Sequence, residues 1–224
     1  MAEMLLETPL FPLNLVLVPG MALPLHIFEP RYRRMTCDCL DSDQQLGIVL
    51  ALAGGEQASH EMPARVGTLA RIVDYERLPD GRYNLLAVGT QRFEIVELRH
   101  DHPYLSGLVR LLPEGQDGCG TQTLAELARD ARAVLGNYLR HVLAIVGSEE
   151  GKIAIPDDPV ELSYIMVMCL ARDDAEKQRL LEMTSVARRL RAGIRLLRVD
   201  GQELARQAER IPHVPPEQRR AALN

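Results

Sequence analysis

Residues 9–35 read PLFPLNLVLVPGMALPLHIFEPRYRRM, and their prolines set the local geometry. Leu10 to Leu13 and Leu15 to Val18 form an extended start, closed by the turn dipeptide Pro19-Gly20. Leu23 to Phe28 is a second extended run, in which Pro24 fits an edge or a bulge and not a central strand. Pro30 then opens a short helix over 31–40, because the first helical position has no intrahelical N–H bond to lose.

The same texture continues outward. Gln45 to Leu52 (QLGIVLAL) reads as a buried strand, and 53–64 as a polar, mobile loop. Val66 to Arg77 and Arg82 to Val88 flank Pro79-Asp80-Gly81, the signal of a hairpin with a type I turn and glycine bulge. Arg92 to Leu98 and Tyr104 to Leu112 complete about six strands, a density that suits a small barrel. After a linker at 113–120 the apolar period becomes helical. Leu124, Leu127, Ala131, Leu135, Tyr138 and Val142 lie on one helical face. Thr123 and Glu126 can form a capping box at the start of this helix, and Gly147 can stop it. Asp158 caps a second helix with Pro159 at its first position and an almost wholly apolar body over 162–170. Asp173 or Asp174 caps a short helix through Met183, and Ser185 a longer one through Val199 and on toward Arg210. The expected organisation is α+β: a β-barrel over 1–113, an α-helical subdomain over 121–210 and a flexible tail over 211–224. No internal repeat is visible.

Composition excludes more than it names. The chain has 224 residues and a net charge of −5, which gives no general attraction to nucleic acid or anionic lipid. No apolar run approaches the ~18 residues of a membrane span. Four cysteines without a CxxC pair, and an N-terminus without a basic leader, read as reduced thiols of a cytoplasmic protein. Residues 1–170 carry a net −9 and residues 171–224 a net +4. The basic excess centres on Arg188, Arg191, Arg195 and Arg198, which share one helical face beside an apolar face of Val186, Leu190, Ile194 and Leu197. That stripe is either a solvated flank or a docking surface for an acidic partner.

The search for catalytic chemistry mostly fails. Gly147 to Lys152 (GSEEGK) is one residue too short for a phosphate loop and is followed by Ile153. His60-Glu61 lacks a second histidine one turn on, so no zincin motif forms. Ser106 lacks the first glycine of a nucleophile elbow. With only Lys152 and Lys177 present, and both beside acids, a Ser-Lys dyad has no good base. His100-Asp101-His102 reads as a hydrated turn, and Cys37-x-Cys39 as one thiol packed inward with neither a ligand. No metal or cofactor is expected.

The quoted stretch, with its Pro-Leu-Phe-Pro, Pro-Gly and Leu-Pro-Leu-x-Ile-Phe-Glu-Pro-Arg-Tyr, resembles the opening of the Lon protease N-terminal (substrate-binding) domain family. Gly47-Ile48-Val49, Val66-Gly67-Thr68, Asp80-Gly81-Arg82, Gly89-x-x-Arg92-Phe93 and Pro103-Tyr104-Leu105 follow in order. Lys177-Gln178-x-Leu180-Leu181-Glu182 and Arg189-Leu190 extend the likeness into the helical half; Ser185 stands where the family usually has Asp. The resemblance implies a PUA-like β-barrel followed by helices, and a free-standing bacterial domain without the ATPase and protease modules. It further implies a non-enzymatic module that binds exposed peptide segments or a protein partner, a client-recognition adaptor, with RNA binding as the alternative. His26, Glu29, Arg31, Tyr32 and Arg92 are the signature polar residues. They form either an internal ion pair between Glu29 and an arginine or a polar rim around a partner groove. With the four arginines of the stripe they make up the candidate partner-binding set.

Overall fold

The computed structural model describes residues 5–52, 62–115, 121–146 and 154–210. Most of the expected loop at 53–64, part of the linker, Gly147 and the tail lie outside the described residues, as do His60, Cys119 and Lys152. The fold is mixed α+β, as the sequence leads one to expect. Among the described residues, seven strands, β1 (Leu5–Leu13), β2 (Ala22–Ile27), β3 (Gln45–Leu52), β4 (Met62–Pro63), β5 (Val66–Arg77), β6 (Tyr83–Arg99) and β7 (Ser106–Leu111), accompany five helices. These are α1 (Pro30–Leu40), α2 (Thr121–Val146), α3 (Pro159–Cys169), α4 (Asp174–Glu182) and α5 (Val186–Arg210).

Five strands close a ring. β1 pairs antiparallel with β7, β7 with β6, β6 with β5 and β5 with β3, and β3 returns parallel to β1. Leu10, Val49, Leu69, Phe93, Ile95 and Val109 fill it. Phe93 is fully buried, and two glycines make room for its ring. A Cβ on Gly47 would lie 2.8 Å from Phe93 Cζ, and one on Gly67 2.5 Å from the Ile48 carbonyl oxygen and 2.8 Å from Phe93 Cζ. Three of the family-like motifs therefore meet at one packing centre.

β6 is a single strand of 17 residues, where the sequence suggests two (82–88 and 92–98). Gly89 does not turn the chain. The strand runs on through a register shift beside it, between its Gln91 and Gly89 pairings with β5, and a Cβ on Gly89 would lie 2.4 Å from the Val18 carbonyl oxygen. The two halves of β6 have different neighbours. Its second half belongs to the ring, whereas Tyr83–Val88 pairs with β2 on one side and with β5 on the other. Beyond Ile72, β5 has no second strand partner among the described residues, and β2 pairs with β6 alone. The result is a three-stranded wing with two free edges. Its inner face, with Leu23, Ile27, Tyr83 and Leu85, packs with Tyr32, Met35 and Cys39 of α1. The expected hairpin turn is present: Gly81 N–H donates to the Leu78 carbonyl at 2.9 Å, and Gly81 has φ +81°, which favours glycine.

The chain divides into two compact units, Met1–Gly115 with Arg172–Ser185 and Gln116–Ala171 with Val186–Asn224. Segment 172–185, grouped with the helices on sequence grounds, thus belongs with the strands. Gln178 Nε2–H donates to the Val66 carbonyl at 2.9 Å, and Gly115 N–H to the Thr184 carbonyl at 2.9 Å. Asp173 caps α4 by accepting from Glu176 N–H at 2.8 Å.

In the second unit, Asp158 caps α3 as expected, accepting from Glu161 N–H at 2.9 Å with Pro159 in the first turn. The apolar body of α3 supplies buried Leu162, Tyr164, Met166 and Val167. α5 crosses it closely: a Cβ on Gly193 would stand 3.1 Å from Met166 Cε. Arg189 is buried in this unit, donating to Ser163 Oγ at 2.8 Å and lying 4.2 Å above the Tyr164 ring. α2 begins at Thr121, two residues before the expected capping Thr123.

Candidate functional site

The outer surface of the wing and the corner that leads into α1 gather the exposed members of the sequence-predicted set. Alternation along β2 buries Leu23 and Ile27 and turns Pro24 and His26 outward. His26 stands opposite Asn84 of β6, which stands opposite Glu76 of β5. A polar chain crosses all three strands. Asn84 Nδ2–H donates to Glu76 Oε2 at 3.1 Å, which fixes the amide so that its oxygen faces His26. His26 Nδ1–H therefore donates to Asn84 Oδ1 at 2.7 Å, leaving Nε2 to accept from Arg82 Nη1–H at 3.3 Å. Arg82 is anchored in turn by Asp80 at 2.7 Å. The network assigns His26 one tautomer and holds the three strands in register.

The wing also carries exposed apolar groups that the sequence reading does not single out: Leu86 shares the outer face with the polar chain, whereas Tyr75 stands opposite Leu85 on the other face. Phe28 is 61% exposed, Val73 and Tyr75 52% each and Leu86 38%. The Phe28 ring stacks toward His26 at 6.3 Å between centroids. Four of the largest exposed apolar side chains of the first unit thus sit on or beside the wing and its free edges. One signal was available: in Leu23 to Phe28 the inward positions end at Ile27, so Phe28 must face out. Val73 carries no such signal, since it is the extra residue at a register shift between Ile72 and Asp74.

At the corner, Glu29 precedes α1 in extended conformation and makes no side-chain cap bond. It pairs instead with Arg31, Nη2 to Oε2 at 2.9 Å, both side chains being well exposed. The ion pair weighed for Glu29 on sequence grounds thus exists, but at the surface and with a near neighbour. Arg31 also lies 4.5 Å above the ring of Tyr32, which is buried against Phe11 at 4.3 Å. Glu29, Arg31 and Tyr32 form one contiguous group, with the buried Tyr32 ring beneath Arg31.

Arg92 is elsewhere. It lies on the outward side of β6, yet it is 0% exposed because segment 172–185 covers it. Its guanidinium pairs with Glu114 at 3.1 Å and donates to the carbonyls of Leu181 at 2.9 Å, Met183 at 3.1 Å and Pro113 at 3.4 Å. Leu181 and Met183 are the C-terminal end of α4, where carbonyls lack helical partners and a cation is favourable. Arg92 is the bolt that holds the returning segment to the barrel.

The four arginines of α5 fall on one exposed face, while Val186, Leu190, Ile194 and Leu197 are buried, as the periodicity predicts. Arg198 makes a two-point contact with Asp130 of α2, Nη2 to Oδ1 and Oδ2 at 3.2 and 3.0 Å. That carboxylate neutralises one end of the stripe.

Candidate chemistry finds little support. Ser106 Oγ is buried without a hydrogen-bond partner among the described residues, so no base activates it. Cys39 is the inward thiol, its pKa pushed up to about 12 first by burial and then by Asp43 and Asp38, far from the reactive range. His102 stacks on Tyr104 with centroids 5.0 Å apart.

Comparison with known proteins agrees with this geometry. The sequence matches the ATP-dependent protease La (LON) substrate-binding domain over residues 7–199. Lon protease of Parabacteroides distasonis is 35% identical over 108 residues, 47% of this chain and 13% of that protein. Lon protease 2 of Herpetosiphon aurantiacus is 29% identical over 193 residues, 83% of this chain and 23% of that protein. The chain thus spans less than a quarter of either relative. Among solved structures, the Lon N-terminal domain protein from Xanthomonas campestris superposes with a TM-score of 0.61 at 27% identity, covering 84% of this chain and 96% of that one. The N-terminal domain of Mycobacterium avium complex Lon protease gives 0.64 at 21% identity, covering 86% and 98%, a likeness of fold.

Proposed function

This chain belongs to the ATP-dependent protease La (LON) substrate-binding domain family, and on that premise we propose that it is a non-enzymatic module that recognises exposed peptide segments of protein clients in the cytoplasm. The observation that carries this reading is the wing: two strand edges without partners among the described residues, flanked by exposed Phe28, Val73, Tyr75 and Leu86. An extended segment gains main-chain hydrogen bonds from such an edge and side-chain affinity from apolar neighbours. Pro24 on β2 removes one edge donor, which leaves the end of β5 the better template. His26, Glu29 and Arg31 would form the polar rim, Tyr32 would support it from below, and Arg92 would act only by holding the unit together. The unpartnered Ser106 hydroxyl and the high pKa of Cys39 favour binding over catalysis. No described helix is long and apolar enough to cross a membrane.

The test is a titration of the full chain with a reduced, carboxymethylated unfolded protein. Phe28→Ser with Leu86→Ser should weaken binding at least about tenfold, since each removes a contact worth 1–2 kcal/mol, while the far-ultraviolet spectrum stays unchanged. Equal binding by the double variant would remove the wing from the account. RNA binding remains the competing reading because the α5 stripe is exposed. It requires affinity that falls steeply with salt and is lost on Arg191→Gln with Arg195→Gln.

A further inference from the structure

A cleft of about 330 Å³ opens between α1 and the hairpin end of the wing. Arg33, Arg34, Cys37, Arg77, Gly81 and Tyr83 line it, together with Pro30 at the start of α1. Three of these are cationic and none is acidic. The nearby carboxylates are committed elsewhere. Asp38 accepts from Arg34 at 2.9 Å and from the Tyr104 hydroxyl at 2.8 Å. Asp80, whose charge Arg33 feels, is held by Arg82 through a side-chain bond at 2.7 Å and a backbone bond at 3.0 Å. Arg33 and Arg77 have no ion-pair partner among the described residues. Arg77 lies 6.0 Å above the Tyr83 ring, and Arg33 rests against Gly81, where a Cβ would come within 2.1 Å of its Nη2. Gly81 thus gives Arg33 its place as well as the turn its φ.

The floor is polar but neutral: Cys37 Sγ and the Tyr83 hydroxyl lie 3.3 Å apart, either one donating to the other. Two guanidinium forks that form no ion pair among the described residues face a cleft that also contains a hydroxyl and a thiol. We propose that this cleft binds the phosphate group of a small molecule. The charge count selects phosphate over a single carboxylate, because a phosphate monoester carries about −1.5 to −2 at neutral pH and matches two arginines. Arginine forks also fit phosphate oxygens bidentately. The volume lies at the small end of ligand pockets, which run from roughly 300 to 1,000 Å³, and leaves room for an organic moiety the size of a sugar beside the phosphate. The site borders the free edge of β5 at Arg77 but uses none of the exposed apolar side chains proposed for clients, and it stands independently of that reading.

The experiment is calorimetric titration of the full chain, at low ionic strength, with inorganic phosphate and separately with glucose 6-phosphate. Saturable binding is expected. It should weaken at least about tenfold in Arg33→Gln and in Arg77→Gln and vanish in the double variant, while Arg71→Gln, an exposed arginine on the same strand, leaves it unchanged. Tighter binding of glucose 6-phosphate identifies an organic monoester as the ligand, and tighter binding of the free ion identifies phosphate itself. As a second readout, the bound ligand should slow alkylation of Cys37, but not of Cys169, in the wild-type chain. No saturable binding of either probe, binding that survives in the double variant, or an equal loss in Arg71→Gln would overturn the proposal.

Discussion

Replacing Arg92 with alanine tests how the returning segment is held. The wild-type guanidinium is fully buried, pairs with Glu114 and donates to three carbonyls. Breaking a buried ion pair by removing one partner costs about 3–5 kcal/mol, because the remaining groups stay desolvated and unpaired. Here the lower end applies: the Glu114 side chain is 27% exposed and regains water on one side. A loss of about 3 kcal/mol corresponds to a fall in Tm of roughly 6–12 °C for a chain of this size. Arg92→Lys keeps the charge but not the planar fork that reaches Glu114 and α4 together, so it should recover only part of the loss. The assay is thermal unfolding together with amide hydrogen exchange. Residues 172–185 should lose protection before the strands of the ring do. A change below about 1 kcal/mol, with unaltered exchange in 172–185, would refute the bolt and return Arg92 to a binding role.

Two further perturbations follow from the core. Gly67→Ala puts a Cβ into the Ile48 carbonyl and the Phe93 ring and should destabilise by about 1–3 kcal/mol in urea unfolding; a neutral effect would mean the ring is not packed as described. Cys39 supplies a pH dependence: its folded pKa is raised from 9.0 to about 12, so the stability linked to the neutral thiol is complete below pH 9. That stability is lost as pH rises through the window toward 12. Cys39→Ala should flatten this alkaline slope, and a slope identical to wild type would contradict the burial.

Much of this was legible in the sequence because the deciding signals are local. Asp158-Pro159 and Asp173 cap their helices where the residue types say they must, and Pro79-Asp80-Gly81 turns the hairpin. The buried face of α5 follows from its period alone. What escaped depends on distant neighbours. The strand motifs at 82–88 and 92–98 look separate until a register shift against β5 is seen to be absorbed within one strand. Segment 172–185 has an ordinary helical pattern, and nothing local says that it returns to the strands; the only trace was a charged Arg92 inside a strand motif. Of the candidate set, His26 lies in the polar chain of the wing, Glu29 and Arg31 pair at the exposed corner before α1 with Tyr32 buried beneath Arg31, and Arg92 is spent on structure. The exposed apolar patch was hidden because strand alternation reveals which residues face out but not which outward faces stay uncovered. The arginine cleft was hidden for a similar reason, since Arg33 and Arg77 are 44 residues apart and meet only where α1 packs against the hairpin end of the wing.

The most direct test of the central claim is amide hydrogen exchange on the full chain, with and without a saturating unfolded peptide. The account predicts new protection at Ala22–Ile27 and over 73–77, the two free edges of the wing, with none along the exposed face of α5. Protection confined to α5, or none at either edge under saturation, would contradict it.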